Sequence, residues 1–407
     1  MTATQVGATQ DHTGKNALAH ARACATDYEI ELQRAQKDIV GLIPYDIEKA
    51  TKLVYRIYHR ASLIGDLAGF AAAENAIDDA IRRFGPKEDL CLLKANLDFH
   101  FHRLAQGKRD LEMAPALPSR FEGKAMLADL DFQQGRYARA KTAYQELVQE
   151  NRTWDNLARL AFFQRKMGDT AGADRLYFEA EDELTAKEMR SYAWLELQRG
   201  VLDLSHGRYE DARMHYQRAA QAYSGHWLTG EHMAELLAAE RKFEEAAALY
   251  ERLLTRIPKP ELQQTLGEVY VMMGKPEQAE PLYEKALAAY LQSAQRGEVH
   301  YYHHLSDFYT DVCPNAPEAV KWARKDIELR NNFSTQAALA SALHLDGRHD
   351  EALDLIDQAL SSGVQDAHIF SDAAVIYRAS ARTSEAGRYL ELALGIHPRH
   401  DNFHVHR

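Results

Sequence analysis

A unit of about 34 residues recurs along most of this chain and restricts its fold more than any other feature of the sequence. The clearest copy, residues 260–289, has small residues at Gly267 and Ala279, an aromatic residue at Tyr283, and Gly274 between its two apolar stretches. Glycine accepts the left-handed conformation that ends many helices. The unit therefore predicts two amphipathic helices that meet at Gly274, with small residues where their backbones approach.

Further copies keep the same small, aromatic and turn positions. The units begin near residues 121, 154, 193, 227, 260, 299, 333 and 367, at intervals of 33 to 39 residues. Intervals this regular indicate a repeat protein. One helix pair cannot bury its apolar face alone, so we expect the pairs to stack in a single continuous array.

The pattern resembles the tetratricopeptide repeat, closely over residues 121–398 and loosely over 45–120. The resemblance implies an all-α fold, a right-handed superhelical solenoid of antiparallel helix pairs with a concave inner surface. It implies no catalytic activity. The last third, from the run HYYHHLSDFYTDV onward, also is similar to a bacterial subgroup of these proteins.

Four segments are predicted along the chain. Residues 1–25 are polar and are expected to be disordered or frayed, and residues 26–120 read as degenerate helical repeats. Residues 121–398 form the array of about eight repeats, and residues 399–407 form a tail that contains histidines.

Composition and charge favour a protein partner. The 407 residues carry a net charge of −11, which argues against a nucleic-acid partner because binding to the phosphate backbone needs a basic surface. No apolar run is long enough to span a membrane, and no signal peptide is recognisable. Three scattered cysteines, Cys24, Cys91 and Cys313, suit a reducing compartment, so a cytoplasmic location is expected.

A partner site is predicted on the concave face, which the first helices of the repeats form. Motifs of nucleotide-binding, metalloprotease and hydrolase enzymes are absent from the sequence, so we expect a non-enzymatic scaffold or adaptor without a cofactor. The predicted surface is more acidic than basic and suits a peptide or helix with basic and aromatic groups. It consists of Asp129, Phe132, Phe162, Arg165, Glu231, Glu235, Glu268, His300, His303, Asp307, His344 and Arg378.

A histidine cluster raises an alternative function, binding of a divalent transition metal. His300, His303, His304 and Asp307 have the spacing that brings four side chains to one face of a helix, and imidazole and carboxylate groups are metal ligands. Two other interpretations of the same histidines, lining of the groove and a structural role, are favoured over metal binding. The pair His100 and His102, two residues apart in a helical run, is expected on different faces and outside any metal site; His404 and His406 in the tail can chelate only weakly.

Overall fold

The computed structural model describes residues 25–65 and 67–401, so most of the predicted disordered segment and part of the predicted tail lie outside the described residues. Helices are the regular elements throughout the described part. No helix among these residues is long and apolar enough to cross a membrane. The α-helices are α1 Asp27–Ile39, α2 Ile47–Ile64, α3 Leu67–Phe84, α4 Glu88–His100, α5 Leu104–Glu112, α6 Phe121–Gln133, α7 Tyr137–Glu150, α8 Trp154–Lys166, α9 Thr170–Asp182, α10 Met189–Leu204, α11 Tyr209–Ala222, α12 Trp227–Ala239, α13 Phe243–Leu254, α14 Pro260–Met272, α15 Pro276–Gln295, α16 Tyr302–Asp307, α17 Ala316–Leu329, α18 Phe333–Leu345, α19 His349–Ser361, α20 Ala367–Ala379 and α21 Thr383–Ile396.

After α1, consecutive helices pack as antiparallel pairs from α2–α3 to α20–α21, and each pair stacks on the next. This arrangement is an α-helical repeat solenoid, as predicted. The pair α16–α17 is irregular, because α16 has only six residues and continues as a π-helical segment, Phe308–Val312. The pair α4–α5 is also short, since α5 has nine residues and ends before a 3₁₀ turn, Leu117–Ser119.

In the pairs α10–α11 and α14–α15, a small residue on the first helix packs against a tyrosine on the second. Gly200 in α10 faces the ring of Tyr216 in α11, and Gly267 in α14 faces Tyr283 in α15 in the same way. Tyr216 is fully buried. The large aromatic ring therefore fills the space that the missing Cβ leaves, and a short distance between the helix axes results.

The first helix of each pair forms the inner layer of the solenoid. Nine residues are buried in α12 but four in its partner α13, and seven are buried in α18 but three in α19. A helix that is covered on two sides buries more of its circumference than one that covers only its neighbour. The first helices are thus covered on two sides, and the second helices lie on the outside.

The solenoid closes on itself after about 200 residues. Asp27 pairs with Ser224, Asn332 Nδ2 donates to the carbonyl oxygen of Gln133 at 3.2 Å, and Lys166 lies 3.3 Å from Asp366. These partners are 197, 199 and 200 residues apart. At about 34 residues per repeat, one superhelical turn takes about six repeats. Residues 27–222 form the first turn and residues 227–396 the second, and the two turns are in direct contact.

The turns approach each other most closely at glycines between the two helices of a repeat. Gly65, Gly135, Gly168 and Gly207 all have φ between 69° and 85°, in the left-handed region. A Cβ at Gly135 would lie 2.7 Å from the carbonyl oxygen of Asn331, and one at Gly168 would lie 2.5 Å from Gln365 Cγ. Glycine is therefore required here both for the conformation and for the contact between turns.

Helix α1 precedes the first pair and docks against the start of the second turn. Thr26, the residue before the helix, caps it together with Glu29, and the backbone N–H of Tyr28 donates to the carbonyl oxygen of Ser224 at 3.1 Å. The side chain of Glu31 accepts a hydrogen bond from Tyr223 Oη at 2.6 Å. Beside this contact, His226 packs against the ring of Tyr223.

The pairing of Gly200 with Tyr216 leads to a first prediction. In Gly200→Ala the new Cβ would overlap the Tyr216 ring, so we expect a loss of about 1 to 3 kcal/mol in the free energy of unfolding. Gly387→Ala is the matched control: Gly387 lies on the exposed side of α21 with no atom near its Cβ position, and a gain of up to about 1 kcal/mol is expected. Denaturant unfolding measures both, and an equal response of the two variants would contradict the packing described.

The docking of α1 leads to a second prediction, a dependence on pH. Burial lowers the pKa of His226 from 6.5 to about 4, so the unfolded chain takes up this proton first as the pH falls. Burial opposes the shift at Glu31, but hydrogen bonds from His59 and Tyr223 lower the pKa of Glu31 to about 2. The stability that depends on neutral His226 is complete above pH 6.5 and is lost as the pH falls towards 4. The stability that depends on ionised Glu31 is lost only below pH 4.5.

We therefore expect the hydrogen-exchange protection of α1 to weaken by about 1 to 2 kcal/mol between pH 6.5 and pH 4.5, after correction for intrinsic exchange. The variant His226→Gln should lose most of this pH dependence, and His344→Gln, far along the chain in α18, should keep it. Equal pH profiles for the wild type and His226→Gln would rule out His226 as the cause.

Candidate functional site

The charge on the first helices changes sign along the solenoid. Helix α8 has one acidic residue, Asp155, against Arg159, Arg165 and Lys166. Helices α12, α14 and α16, which follow one another in the inner layer, contain no Lys or Arg. Their acidic residues are Glu231, Glu235, Glu261, Glu268 and Asp307, which we call the acidic strip.

The acidic strip is continuous, because its members surround the same buried tyrosines. Burial raises the pKa of Tyr250 well above its usual value, and the charges of Glu235, Glu231 and Glu268 raise it further. Burial likewise raises the pKa of Tyr290, and Glu261, Glu268 and Asp307 add to that effect.

Members of the strip differ in depth. Glu235 is fully buried and Glu231 is 8% exposed, whereas Glu261 and Glu268 are half-buried and Asp307 is exposed. Glu268 accepts a hydrogen bond from Gln264 Nε2 at 2.9 Å, and Lys259 Nζ lies 3.9 Å from Glu261. The strip thus has a buried part, whose carboxylates add to the negative electrostatic potential, and an outer part that a partner can contact.

Two cations of α8 are paired within the protein. Arg159 Nε donates to Asp129 at 3.1 Å and Arg159 Nη1 donates to Asp155 at 2.7 Å. Lys166 is paired with Asp366 across the two turns, and burial lowers its pKa while the carboxylate of Asp366 opposes that shift. These pairs offset the positive charge of α8, so the acidic strip is the dominant charged feature of the inner layer.

Four of the predicted partner-binding residues are in the packed interior, which corrects their assignment to the surface. Phe132 is 5% exposed and packs edge-to-face on Phe162 and, across the two turns, on Phe333. Arg165 is 9% exposed. Burial raises the pKa of Tyr177, and the positive charge of Arg165 opposes that shift. The other two are Glu231 and Glu235, in the buried part of the acidic strip. The projection onto helix faces did not include the contact between the turns, which packs Phe132 against Phe333.

The remaining predicted residues are at least partly accessible, but they do not form one patch with a single chemistry. Asp129 accepts hydrogen bonds from Tyr144 and Arg159, and His344 packs on His349 with ring centroids 5.1 Å apart. Arg378 is exposed near the end of α20. Only Glu268 and Asp307 belong to the accessible part of the acidic strip.

The predicted metal cluster does not lie on one helix. Helix α16 begins at Tyr302, so His300 is in the turn before it and the assumed helical spacing from His300 to Asp307 fails. His303 and His304 are adjacent on α16 with ring centroids 4.0 Å apart, and the ring of His304 stacks on Tyr290. Asp307 instead contributes to the acidic strip.

The histidines predicted to be unrelated to this cluster are in contact with it. Helix α4 ends at His100, and His102 adopts a left-handed conformation with φ 60°, so the helical spacing assumed for the pair does not apply. Ring centroids of His100 and His300 are 5.7 Å apart, and those of His102 and His303 are 5.3 Å apart. Histidines of the first turn thus meet histidines of the second, and we call this group the histidine junction: His100, His102, His300, His303 and His304.

Burial favours the neutral form of four imidazoles of the histidine junction, because it lowers their pKa. Burial lowers the pKa of His100 to about 4 and that of His300 to about 3. Burial also lowers the pKa of His102 and His303 well below the usual value. Arg330, on the neighbouring segment of the second turn, adds to these shifts at His102 and His303.

Sequence reasoning missed His102 and Asp326 as functional candidates. His102 lies about 200 residues before His303 and meets it only through the stacking of the two turns, whereas Asp326 meets it through the pairing of α16 with α17. The sequence did contain a clue to the contact between His102 and His303, since the segments HFH and HYYHH are both rich in histidine and about 200 residues apart, close to the separation of contacting turns.

Comparison with known proteins agrees with the repeat assignment. Family models described as tetratricopeptide repeat match residues 126–152, 231–265, 260–292 and 337–368. No curated protein sequence matches the chain significantly.

Similar solved structures include the Cut9–Hcn1 hetero-tetramer of the APC/C, with 15% identity over 95% of this chain and 83% of that chain and a TM-score of 0.44. A human IFIT1 dimer with PPP-AAAA has 13% identity, coverage of 93% and 96%, and a TM-score of 0.46. Naa15/Naa10 bound to HypK-THB has 16% identity, coverage of 93% and 67%, and a TM-score of 0.29.

The family models fall on helix pairs of the solenoid: residues 231–265 include most of α12 and all of α13, and residues 260–292 include α14 and most of α15. The spacing of small and aromatic residues and the antiparallel pairing agree with these matches. The chain thus contains tetratricopeptide repeats at residues 126–152, 231–292 and 337–368.

Proposed function

We propose that the chain is a non-enzymatic interaction scaffold whose inner layer binds a basic segment of a partner protein at the acidic strip. Five carboxylates on three successive first helices, without one Lys or Arg on those helices, are the observation that supports this proposal. Repeat proteins of this kind use an extended inner surface for binding. Complementary charge favours a partner segment rich in Lys or Arg.

Two properties of the strip define the partner further. Glu261, Glu268 and Asp307 lie on α14 and α16, so a bound segment has to run across successive repeats rather than along one helix. Tyr290 and Tyr301 are buried beside them and leave mainly their carboxylate neighbours for contact. A peptide or helix with several cations at regular spacing fits this surface better than one with a single charge. The same strip disfavours nucleic acid, because carboxylates repel phosphates.

Binding of a defined peptide pair tests the proposal. One peptide of about 20 residues has Lys or Arg on one face of an amphipathic helix together with tyrosines, and its counterpart has Glu in place of each cation. We expect the wild-type protein to bind the basic peptide in preference to the acidic one, with an affinity that falls as salt is added.

The strip variant Glu261→Gln, Glu268→Gln, Asp307→Asn should bind the basic peptide at least about tenfold more weakly. The matched control changes the net charge by the same amount on exposed outer positions: Glu244→Gln, Glu245→Gln, Glu277→Gln. Isothermal titration calorimetry measures all three proteins. Equal affinities for the strip variant and the control would exclude the strip as the binding site.

A further inference from the structure

Five left-handed residues of the first superhelical turn meet the second turn, and one of the five is not a glycine. In the first turn, four of the left-handed residues that meet the second turn are glycines, and the fifth is His102. At the four glycines even a Cβ would come within about 3 Å of the second turn. At His102 there is room for a whole imidazole ring, and the space between the turns is filled by the histidine junction.

Two imidazoles and a carboxylate converge in this space. One ring nitrogen from each of His102 and His303 and one carboxylate oxygen of Asp326 lie within 4.8 Å of one another. Ligand atoms of a tetrahedral zinc site are roughly 3.3 Å apart, given metal–ligand distances of about 2.0 to 2.2 Å. Side-chain movements of about 1 Å would therefore bring the three atoms to bonding distance.

Several nitrogens of the histidine junction have no hydrogen-bond partner in the described part of the chain. Nδ1 of His102 and Nδ1 of His303 are buried and make no hydrogen bond to any group in the described part of the chain. Leaving a buried polar atom unsatisfied is unfavourable by about 1 to 3 kcal/mol. The second turn is also irregular here, since α16 ends in the π-helical segment Phe308–Val312, and such segments are frequent at functional sites.

The carboxylate is oriented by a partner that leaves it able to bind a metal ion. Asp326 is 3% exposed, and Arg330 Nε and Nη2 donate to its two oxygens at 3.0 Å each. Each carboxylate oxygen can accept more than one bond, so Asp326 can share one oxygen with a metal while Arg330 holds the other. Ligating carboxylates in metalloproteins are usually supported by such an outer hydrogen bond.

We propose that His102, His303 and Asp326 bind one divalent transition-metal ion, such as Zn²⁺, which links the first superhelical turn to the second. Two imidazole nitrogens and one carboxylate oxygen suit zinc and its neighbours rather than Mg²⁺ or Ca²⁺, which prefer oxygen ligands. The site shares no residue with the acidic strip, although His303 and Asp307 lie on the same helix.

A zinc titration of the full-length, untagged, metal-free protein against a competing chromophoric chelator tests the proposal. We expect one tight equivalent of Zn²⁺, and Co²⁺ should give the intense visible absorption of a four-coordinate site. His102→Gly, which installs the residue found at the four equivalent positions, and Asp326→Asn should each weaken binding at least about 100-fold. Unfolding of the metal-free variants shows whether they are folded.

Two control variants remove histidines outside the site and keep its three proposed ligands. His344→Gln with His349→Gln removes a histidine pair in the repeat α18–α19, and His404→Ala with His406→Ala removes histidines of the tail, which lie outside the described residues. Both should keep the tight equivalent. The absence of a tight equivalent in the wild type, its retention in His102→Gly, or its loss in the tail variant would each overturn the proposed site.

The link between the turns has a separate readout. Zn²⁺ should slow hydrogen exchange in α4–α5 and in α16–α17 of the wild type together, because these pairs belong to different turns and would share the ion. His102→Gly should show no such change. Metal binding without increased protection of both pairs would overturn the linking role.

Discussion

The direct contact between successive superhelical turns is the constraint on which the rest of this structure depends. In an open solenoid each repeat touches only its neighbours, and stability is a sum of nearest-neighbour terms. Here Gly135, Gly168 and Gly207 press against residues about 200 positions further on, so distant repeats stabilise each other. About six repeats per turn are needed for this, and the small residues between paired helices set that curvature by fixing how closely the helices approach.

Closing the turns changes what the inner layer can contain. Residues such as Phe132 and Phe333, which would line an open groove, become a core shared by two turns. Charged groups that are covered must be paired, as Lys166 is with Asp366. The acidic strip holds the like charges of α12, α14 and α16 close together, and partners within the protein, such as Gln264 beside Glu268 and Lys259 beside Glu261, reduce their repulsion. The basic partner proposed above would reduce it further.

At the histidine junction the two turns do not come into close backbone contact. Where four glycines allow backbone-to-backbone contact, His102 holds the turns apart and meets His303. A space lined by neutral imidazoles with unsatisfied nitrogens is costly unless a ligand occupies it. A single ion bound by residues of both turns would restore at this position the contact that glycine provides at the others.

The sequence by itself determined the helix pairs, their small and aromatic packing positions and the repeat spacing, because these depend on contacts between residues fewer than about 40 apart. Gly274 has the left-handed conformation that the pattern predicted, with φ 72°. It also determined the acidic character of α12 and α14. Only the tertiary structure decided which inner residues stay accessible and which histidines meet, because both follow from the stacking of turns about 200 residues apart. The number of residues per turn depends on small rotations between neighbouring repeats, which add up over about six repeats. No local sequence pattern encodes the total rotation.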